Sequence, residues 1–246
     1  MSLKEKLINE LKLNGAFEVR IADPLKEIEH ADPKRSPVNI WPSCKSLIMF
    51  ITPRAPDSNN TYVSTYSPCD SPRQINPLPK YFDSPTHAVY RLSTIISSLV
   101  ELSCARFLIK EGYNVFFDKE TIQKKLYANE SGLGVYGRSG VILNPVLGNR
   151  ICIGAILTDA VLEPDQPLKD YKPCEKCRIC VNSCPAKAYG ESESYHSNWD
   201  VKKCMAARKE IESRGLYCHN CFAKCIAGKM KDSELFSILK ADNNFG

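Results

Sequence analysis

Apolar residues recur with helical and strand spacing in turn along the first part of the chain. Helical spacing over residues 2–14 predicts a first helix, which Gly15 ends. Residues 17–23 alternate between polar and apolar, which is typical of a half-buried strand. Residues 45–53 are almost continuously apolar and end at Pro53, so we expect a buried strand there.

The same alternation of element types continues downstream. We expect a long central helix, a short strand, a helix and two further strands, at 86–112, 113–118, 119–131, 140–145 and 150–159. A turn containing proline and glycine joins the last two strands, and it predicts a hairpin. Strands that alternate with helices indicate an α/β layer structure.

Two stretches without periodicity divide the chain. Residues 54–85 are rich in Pro, Ser, Asn and Asp, and a loop of this length is either a functional lid or a surface insertion. A proline-punctuated linker follows residue 161. We therefore predict an α/β cofactor and substrate domain at 1–165 and a cysteine-rich domain at 166–246.

Composition narrows the class of protein. The chain of 246 residues is 43% hydrophobic and 25% charged, which is ordinary for a soluble globular protein. Its net charge of +5 is spread along the chain and does not by itself indicate nucleic-acid binding. No signal peptide and no run of ~18 apolar residues is visible, so we expect a cytoplasmic protein that does not enter a membrane.

Eight of the 12 cysteines lie in the last third of the chain in two groups. The first group has the spacing C-x2-C-x2-C-x3-C-P, the bacterial ferredoxin run, in which the fourth cysteine ligates the other cluster of a two-cluster protein. The second group completes both sites. One [4Fe–4S] cluster would use Cys174, Cys177, Cys180 and Cys225, and the other would use Cys184, Cys204, Cys218 and Cys221.

Zinc is the alternative metal, because it also takes four thiolates. Zinc ribbons usually pair C-x2-C units across a spacer, unlike the first group here. The second group is less regular, since Ile226 rather than proline follows Cys225. Among the remaining cysteines we expect Cys44, Cys104 and Cys152 to be core residues.

A glycine motif precedes the cysteines. Gly132, Gly134 and Gly137 fit G-x-G-x-x-G, and Asp159 follows at a distance suited to a ribose-binding acid. A dinucleotide fingerprint needs a strand before it and a helix after it, and here that order is reversed. The glycines therefore either end the helix and form a turn, or they allow the backbone to come close to another ligand.

Together, these motifs resemble the epoxyqueuosine reductase family, relatives of the reductive dehalogenases. Fourteen residues after Asp118 comes Gly132, which opens "GLGVYGRSG", followed by an apolar segment that ends in "LTD" and then the double cysteine motif. The similarity covers roughly residues 35 to 226.

The resemblance implies a cobalamin-binding, nitroreductase-like α/β domain followed by a ferredoxin-like domain with two [4Fe–4S] clusters. Electrons from a low-potential donor of ferredoxin or flavodoxin type would pass through both clusters to the cobalamin, which would reduce a substrate. Asp118 matches the position of the proton donor in this family. It also precedes the predicted helix at 119–131, where an Asp would cap free backbone N–H groups.

The loop residues Gly132, Gly134, Tyr136, Gly137 and Arg138 match the cofactor-binding region of the family. Tyr136 would either cover the corrinoid or pack internally. Arg138 would either hold a phosphate or amide of the cofactor or be solvated.

The substrate is expected to differ from that of the family. The sequence ends about twenty residues after its last cysteine, without the helical-repeat domain that helps the reductase bind tRNA. We therefore expect a small-molecule substrate. Two other functions remain open: an electron-transfer protein that reduces a partner such as a corrinoid protein, and a corrinoid- or flavin-binding module without turnover.

Overall fold

The computed structural model describes residues 1–54, 85–117, 121–190, 199–213, 218 and 220–228. Almost all of the predicted 54–85 loop lies outside this range, as does Asp118.

The amino-terminal half contains helices and strands close to their predicted positions. They are α1 (Leu3–Leu13), β1 (Glu18–Ala22), a 3₁₀ turn (Pro33–Arg35), α2 (Pro37–Ile40), β2 (Ser46–Pro53), α3 (Pro85–Lys110), β3 (Val115–Phe116) and α4 (Lys124–Glu130). Helix α1 begins at a capping box, in which the Ser2 hydroxyl accepts from the Glu5 N–H and the Glu5 carboxylate accepts from the Ser2 N–H.

The remaining elements are shorter. They are β4 (Val135–Tyr136), β5 (Ile142–Leu143), β6 (Ile151–Thr158), α5 (Ile179–Asn182), α6 (Val201–Ser213) and α7 (Asn220–Ala223). Among the described residues, the cysteine-rich part therefore has only helices as regular elements.

The central sheet has the strand order β1-β2-β6-β3, and each described pair is antiparallel. Every residue of β2 is buried, as its apolar run predicts. Leu47, Met49 and Ile51 of β2 pack on one face with α4 residues, while Ile48 and Phe50 pack on the other with α1 and α3. The sheet is thus the middle of three layers, which confirms a mixed α/β fold.

The predicted hairpin between residues 140–145 and 150–159 is wrong. Strand β5 pairs with β4 as a separate two-stranded sheet, whereas β6 lies between β2 and β3. Strand β6 pairs along its whole length with β2 and only at Leu157 and Thr158 with β3, and neither pairing involves β5. The buried Asn144 turns the chain away from β5, because its side-chain oxygen accepts from the Val146 and Leu147 N–H groups.

The linker after β6 is fixed to the sheet at its start. The Asp165 carboxylate accepts from the Ile21 N–H at 2.7 Å and pairs with Lys4 at 2.8 Å, and the Asp165 N–H donates to the Ile21 carbonyl. The division at residues 165 and 166 stays a prediction. In the part of the chain that the structure describes, no helix has the length and apolar character needed to cross a bilayer.

Two of the three cysteines that we expect in the core are buried there. Cys44 and Cys104 are buried, as predicted, and burial raises the pKa of the Cys44 thiol to about 11 and that of Cys104 to about 12. Cys152 is only half-buried.

Candidate functional site

All eight predicted ligand cysteines are described, and all eight are half-buried free thiols. Cys180 lies on α5, Cys204 on α6 and Cys221 on α7, and the others lie in the turns that flank these helices. Short helices joined by turns place several thiols close together without a large core.

The first predicted set is brought together across a long sequence separation. Burial is the main reason that the pKa of Cys225 rises, and the nearby thiols of Cys174 and Cys177 raise it further. Burial likewise raises the pKa of Cys180 to about 11, with added repulsion from Cys174, Cys221 and Cys225. Cys225 thus lies with the cysteines of the first motif, as the crossed arrangement requires.

The second predicted set also groups. Burial raises the pKa of Cys221, and the thiols of Cys218 and Cys184 add to the effect. Burial raises the pKa of Cys204 as well, with contributions from Cys221 and Cys184. The assignment of ligands to two clusters stays a prediction, but the thiols that it joins are neighbours.

Hydrogen-bond donors reach several of these sulfurs. The Tyr189 hydroxyl donates to Cys221 and the Trp199 indole N–H donates to Cys204. The Ala188 N–H lies 3.5 Å from the Cys184 sulfur. Sequence reasoning missed Tyr189 and Trp199, and their nearness along the chain to predicted ligands was the available signal.

Arg138 lies against the first cysteine of the motif. Its backbone N–H is 3.4 Å from the Cys174 sulfur, and its guanidinium donates to the Cys174 carbonyl at 3.2 Å. The side chain is only 5% exposed, so the alternative of a solvated arginine is wrong. The glycine loop and the cysteine motif are therefore in direct contact.

A second contact joins the turn before β6 to the segment that carries Cys225. A Cβ atom on Gly148 would overlap the Ala227 carbonyl, and one on Gly228 would lie 2.5 Å from the Gly148 nitrogen. The Asn149 side chain donates to the Phe222 carbonyl at 2.7 Å. This close backbone approach fixes the position of Cys225 relative to the sheet.

The loop glycines have close neighbours within the protein. A Cβ on Gly132 would overlap the Gln166 carbonyl, and one on Gly134 would lie 2.6 Å from the Leu143 carbonyl. One on Gly137 would lie 2.7 Å from the Leu143 side chain. The turn and close-packing interpretation therefore accounts for all three glycines, and their contact with a cofactor stays a prediction.

The dinucleotide alternative for this loop is wrong. The motif follows α4 and contains β4, and the next element is strand β5, so no helix follows it to receive a pyrophosphate. The Asp159 carboxylate is already engaged, since it accepts from both the backbone and the side-chain N–H groups of Asn114, at 2.8 and 2.7 Å.

Tyr136 lines a pocket of about 300 Å³. Its half-buried ring lies beside Asn129, whose side-chain oxygen accepts from the Tyr136 N–H at 3.3 Å. The remaining lining includes three carboxylates and a histidine, from Glu27, Glu29, Glu130 and His30. A pocket with this lining favours neutral or cationic groups over phosphates.

The residues next to position 118 form a partly exposed aromatic surface. The rings of Trp41 and Phe116 are stacked, with centroids 6.0 Å apart, and Phe116 and Phe117 are 39% and 38% exposed. Exposed aromatic rings of this kind are common where a ligand is bound.

The chemistry of the grouped thiols fits iron–sulfur clusters. Buried thiols that repel one another as thiolates need a cationic centre to ionise, and iron provides one. A four-iron cluster takes one thiolate at each iron, so four grouped cysteines meet its need. Among the described residues, no three His, Cys, Asp or Glu side chains are arranged to hold a single metal ion.

Comparison with known proteins gives partial-length matches. No protein-family model matches the chain. It is 39% identical over 71 residues to the epoxyqueuosine reductase of Staphylococcus aureus, which is 29% of this chain and 18% of that protein. It is 32% identical over 119 residues to the tetrachloroethene reductive dehalogenase of Sulfurospirillum multivorans, 42% of this chain and 23% of that protein.

Solved structures of the same two groups share the fold. The Bacillus subtilis epoxyqueuosine reductase, with its aspartate-bearing catalytic loop swung out of the active site, matches 95% of this chain and 67% of its own, with a TM-score of 0.61 and 20% identity. A catabolic reductive dehalogenase in complex with 3-bromo-4-hydroxybenzoic acid matches 95% of this chain and 33% of its own, with a TM-score of 0.64 and 17% identity.

Both kinds of match are to the family that the glycine and cysteine motifs were predicted to resemble. The matched segments cover less than a third of the length of the two curated relatives described. Over the matched segments, the chain is similar to epoxyqueuosine reductases and to a reductive dehalogenase, and it shares the fold of both groups.

Proposed function

We propose that the protein is a cobalamin-dependent reductase that receives electrons through two [4Fe–4S] clusters. The observation that carries this proposal is the contact between Arg138 of the glycine loop and Cys174 of the first cysteine motif. It joins the cluster region, proposed as a ferredoxin-like domain at 166–246, directly to the α/β domain at 1–165. A bare electron carrier needs no such domain.

Two apolar surfaces are suited to hold the corrinoid. One is the surface of Trp41, Phe116 and Phe117 beside residue 118. The other is next to Cys204, where Trp199 and the α6 residues Val201 and Met205 are 38%, 49% and 50% exposed. Either surface could receive the apolar face of a large ligand, and a ligand on the second would lie beside Cys204.

Bound cobalamin would supply a reduced cobalt centre for a two-electron reduction of the substrate. Asp118 would donate the proton that accompanies these electrons. Burial beside the apolar ligand and the neighbouring Phe116 and Phe117 would raise the pKa of its carboxyl group, which a proton donor near neutral pH needs. The aspartate-bearing catalytic loop named for the Bacillus subtilis enzyme supports this role.

Helix α4 begins at Lys124 with Gln123 as its N-cap, so the alternative that Asp118 caps this helix is wrong. Replacing Asp118 by asparagine keeps the size of the side chain but removes the acid. We expect unchanged unfolding in urea, unchanged cobalamin binding and a loss of turnover of about 10²-fold or more. Full turnover in a stable Asp118→Asn variant would exclude Asp118 as the acid.

We propose a small molecule as the substrate. The pocket beside Tyr136 presents Glu27, Glu29 and Glu130, and although Lys26 pairs with Glu130, the remaining negative charge would disfavour a phosphate backbone. The electron donor is proposed to be a low-potential ferredoxin or flavodoxin type of protein in the cytoplasm.

A cobalamin titration tests the proposal. The protein is purified without oxygen, its iron is measured, and cobalamin is added while the absorption spectrum is recorded. We expect about eight irons per chain and a saturable shift toward the spectrum of cobalamin without its lower base. Eight irons with no cobalamin binding would instead favour an electron carrier that reduces a partner. Binding without turnover of any screened substrate under a low-potential donor would favour a binding module.

A further inference from the structure

The turn that carries Arg138 is held by its own backbone hydrogen bonds. The Gly137 N–H donates to the Val141 carbonyl at 2.8 Å, and the Gly140 N–H donates to the Gly137 carbonyl at 2.8 Å. Gly137 packs closely, since an added Cβ would lie 2.7 Å from the Leu143 side chain and 3.3 Å from the Val141 carbonyl. The turn therefore has a fixed shape, and it aims both the N–H and the guanidinium of Arg138 at Cys174.

The position of the guanidinium places a permanent positive charge at a cluster ligand. Its Nη2 is 3.2 Å from the Cys174 carbonyl, and the side chain is 95% withdrawn from solvent. Arginine stays protonated at every accessible pH. A charge in this position is screened far less by water and salt than one on the surface.

Charge and hydrogen bonds at the sulfurs are the means by which a protein sets a cluster's reduction potential. Reduction of a [4Fe–4S] cluster from the 2+ to the 1+ state adds one electron and no proton. A buried cation beside one ligand stabilises the reduced state more than the oxidised one, because the reduced cluster is more negative. The N–H···S contact acts in the same direction.

We propose that Arg138 is a positioning residue that raises the reduction potential of the cluster held by Cys174, so that this cluster accepts electrons more readily than it would otherwise. This inference rests on the iron–sulfur part of the proposed function. Arg138 thus has a role toward the cluster, where sequence reasoning had assigned it to the cofactor.

The test compares three variants by reductive titration with dithionite and mediators, followed by electron paramagnetic resonance, without cobalamin or substrate. Arg138→Gln removes the charge. We expect its reduced-to-oxidised ratio at a fixed potential to fall about tenfold at one cluster, equivalent to about 59 mV for one electron. Arg138→Lys keeps the charge and should stay near the unaltered protein. The signal of the other cluster should not move.

Lys176→Gln is the matched control. Lys176 is exposed and adjoins Cys177, so the same charge is removed near the same cluster. We expect a smaller shift that disappears in high salt, whereas the Arg138→Gln shift persists.

Each outcome of these titrations either supports or overturns the proposed role of Arg138. An Arg138→Gln protein with both clusters and unchanged potentials would overturn the proposal, as would an Arg138→Lys shift as large as that of Gln. If Arg138→Gln fails to hold the cluster, retention by Arg138→Lys at the original potential supports the charge role, and failure of both overturns it. A protein in which neither cluster assembles even without substitution would contradict the proposed function instead.

Discussion

Replacing Cys225 by alanine is expected to remove the same cluster as replacing Cys177. The thiol of Cys225 lies with Cys174 and Cys177, although about forty residues separate it from the end of the first motif. If the ligands cross as proposed, iron should fall from about eight toward about four per chain in either variant, because a cluster that lacks a thiolate loses much of its binding free energy. The electron paramagnetic resonance spectra of the two variants should match.

Cys218→Ala is the control for this prediction. Cys218 groups with Cys221 and Cys184, so its loss should leave the complementary spectrum. A Cys225→Ala spectrum that matched that of Cys218→Ala would show that each motif holds its own cluster. Zinc in place of iron in the unaltered protein would remove the cluster assignment altogether.

Replacing Gly148 by alanine is expected to separate the Cys225 segment from the sheet. Gly148 has a φ of +63°, which costs a side-chain-bearing residue about 1–2 kcal/mol. The added methyl group would also overlap the Ala227 carbonyl, a backbone atom that can move only with its segment. Overpacking of this kind costs a further ~1–3 kcal/mol. We expect a total loss of about 2–5 kcal/mol, measured by urea unfolding of the iron-loaded protein, and a weakened signal from the cluster that contains Cys225.

Gly112→Ala is a matched control, since Gly112 also has a positive φ, of +87°, but nothing lies within 4 Å of an added Cβ. The Gly112→Ala change should lower the free energy of unfolding only by the backbone strain, about 1–2 kcal/mol, and should leave both clusters intact. Equal losses in the two variants would show that the contact with Ala227 contributes nothing beyond strain.

Several features could be predicted from the sequence because they depend on local spacing. The apolar run of β2 and the helical spacing of α1 each identify an element whose burial follows from its own pattern. The grouping of the cysteines followed from motif spacing, because short turns leave few ways to bring four thiols together.

Pairing between distant segments could not be predicted in this way. The hairpin of residues 140–145 with 150–159 was wrong because β5 pairs with β4 while β6 pairs along its whole length with β2, and local patterns do not reveal which strand pairs with which. The sequence left open whether the loop glycines serve a turn or a ligand, and their nearest atoms in the protein belong to Gln166 and Leu143. A glycine needed for close approach looks the same in sequence whether the neighbour is a ligand or another part of the chain.

The sequence by itself determined the kinds of element, the two cysteine motifs and the resemblance to a reductase family, because each depends on residue types at fixed spacing. Only the tertiary structure decided that Arg138 lies on Cys174 and that Gly148 meets Ala227. Both contacts join segments that are far apart in the chain. They form because a packed sheet and a fixed turn bring these backbones within hydrogen-bonding or van der Waals distance.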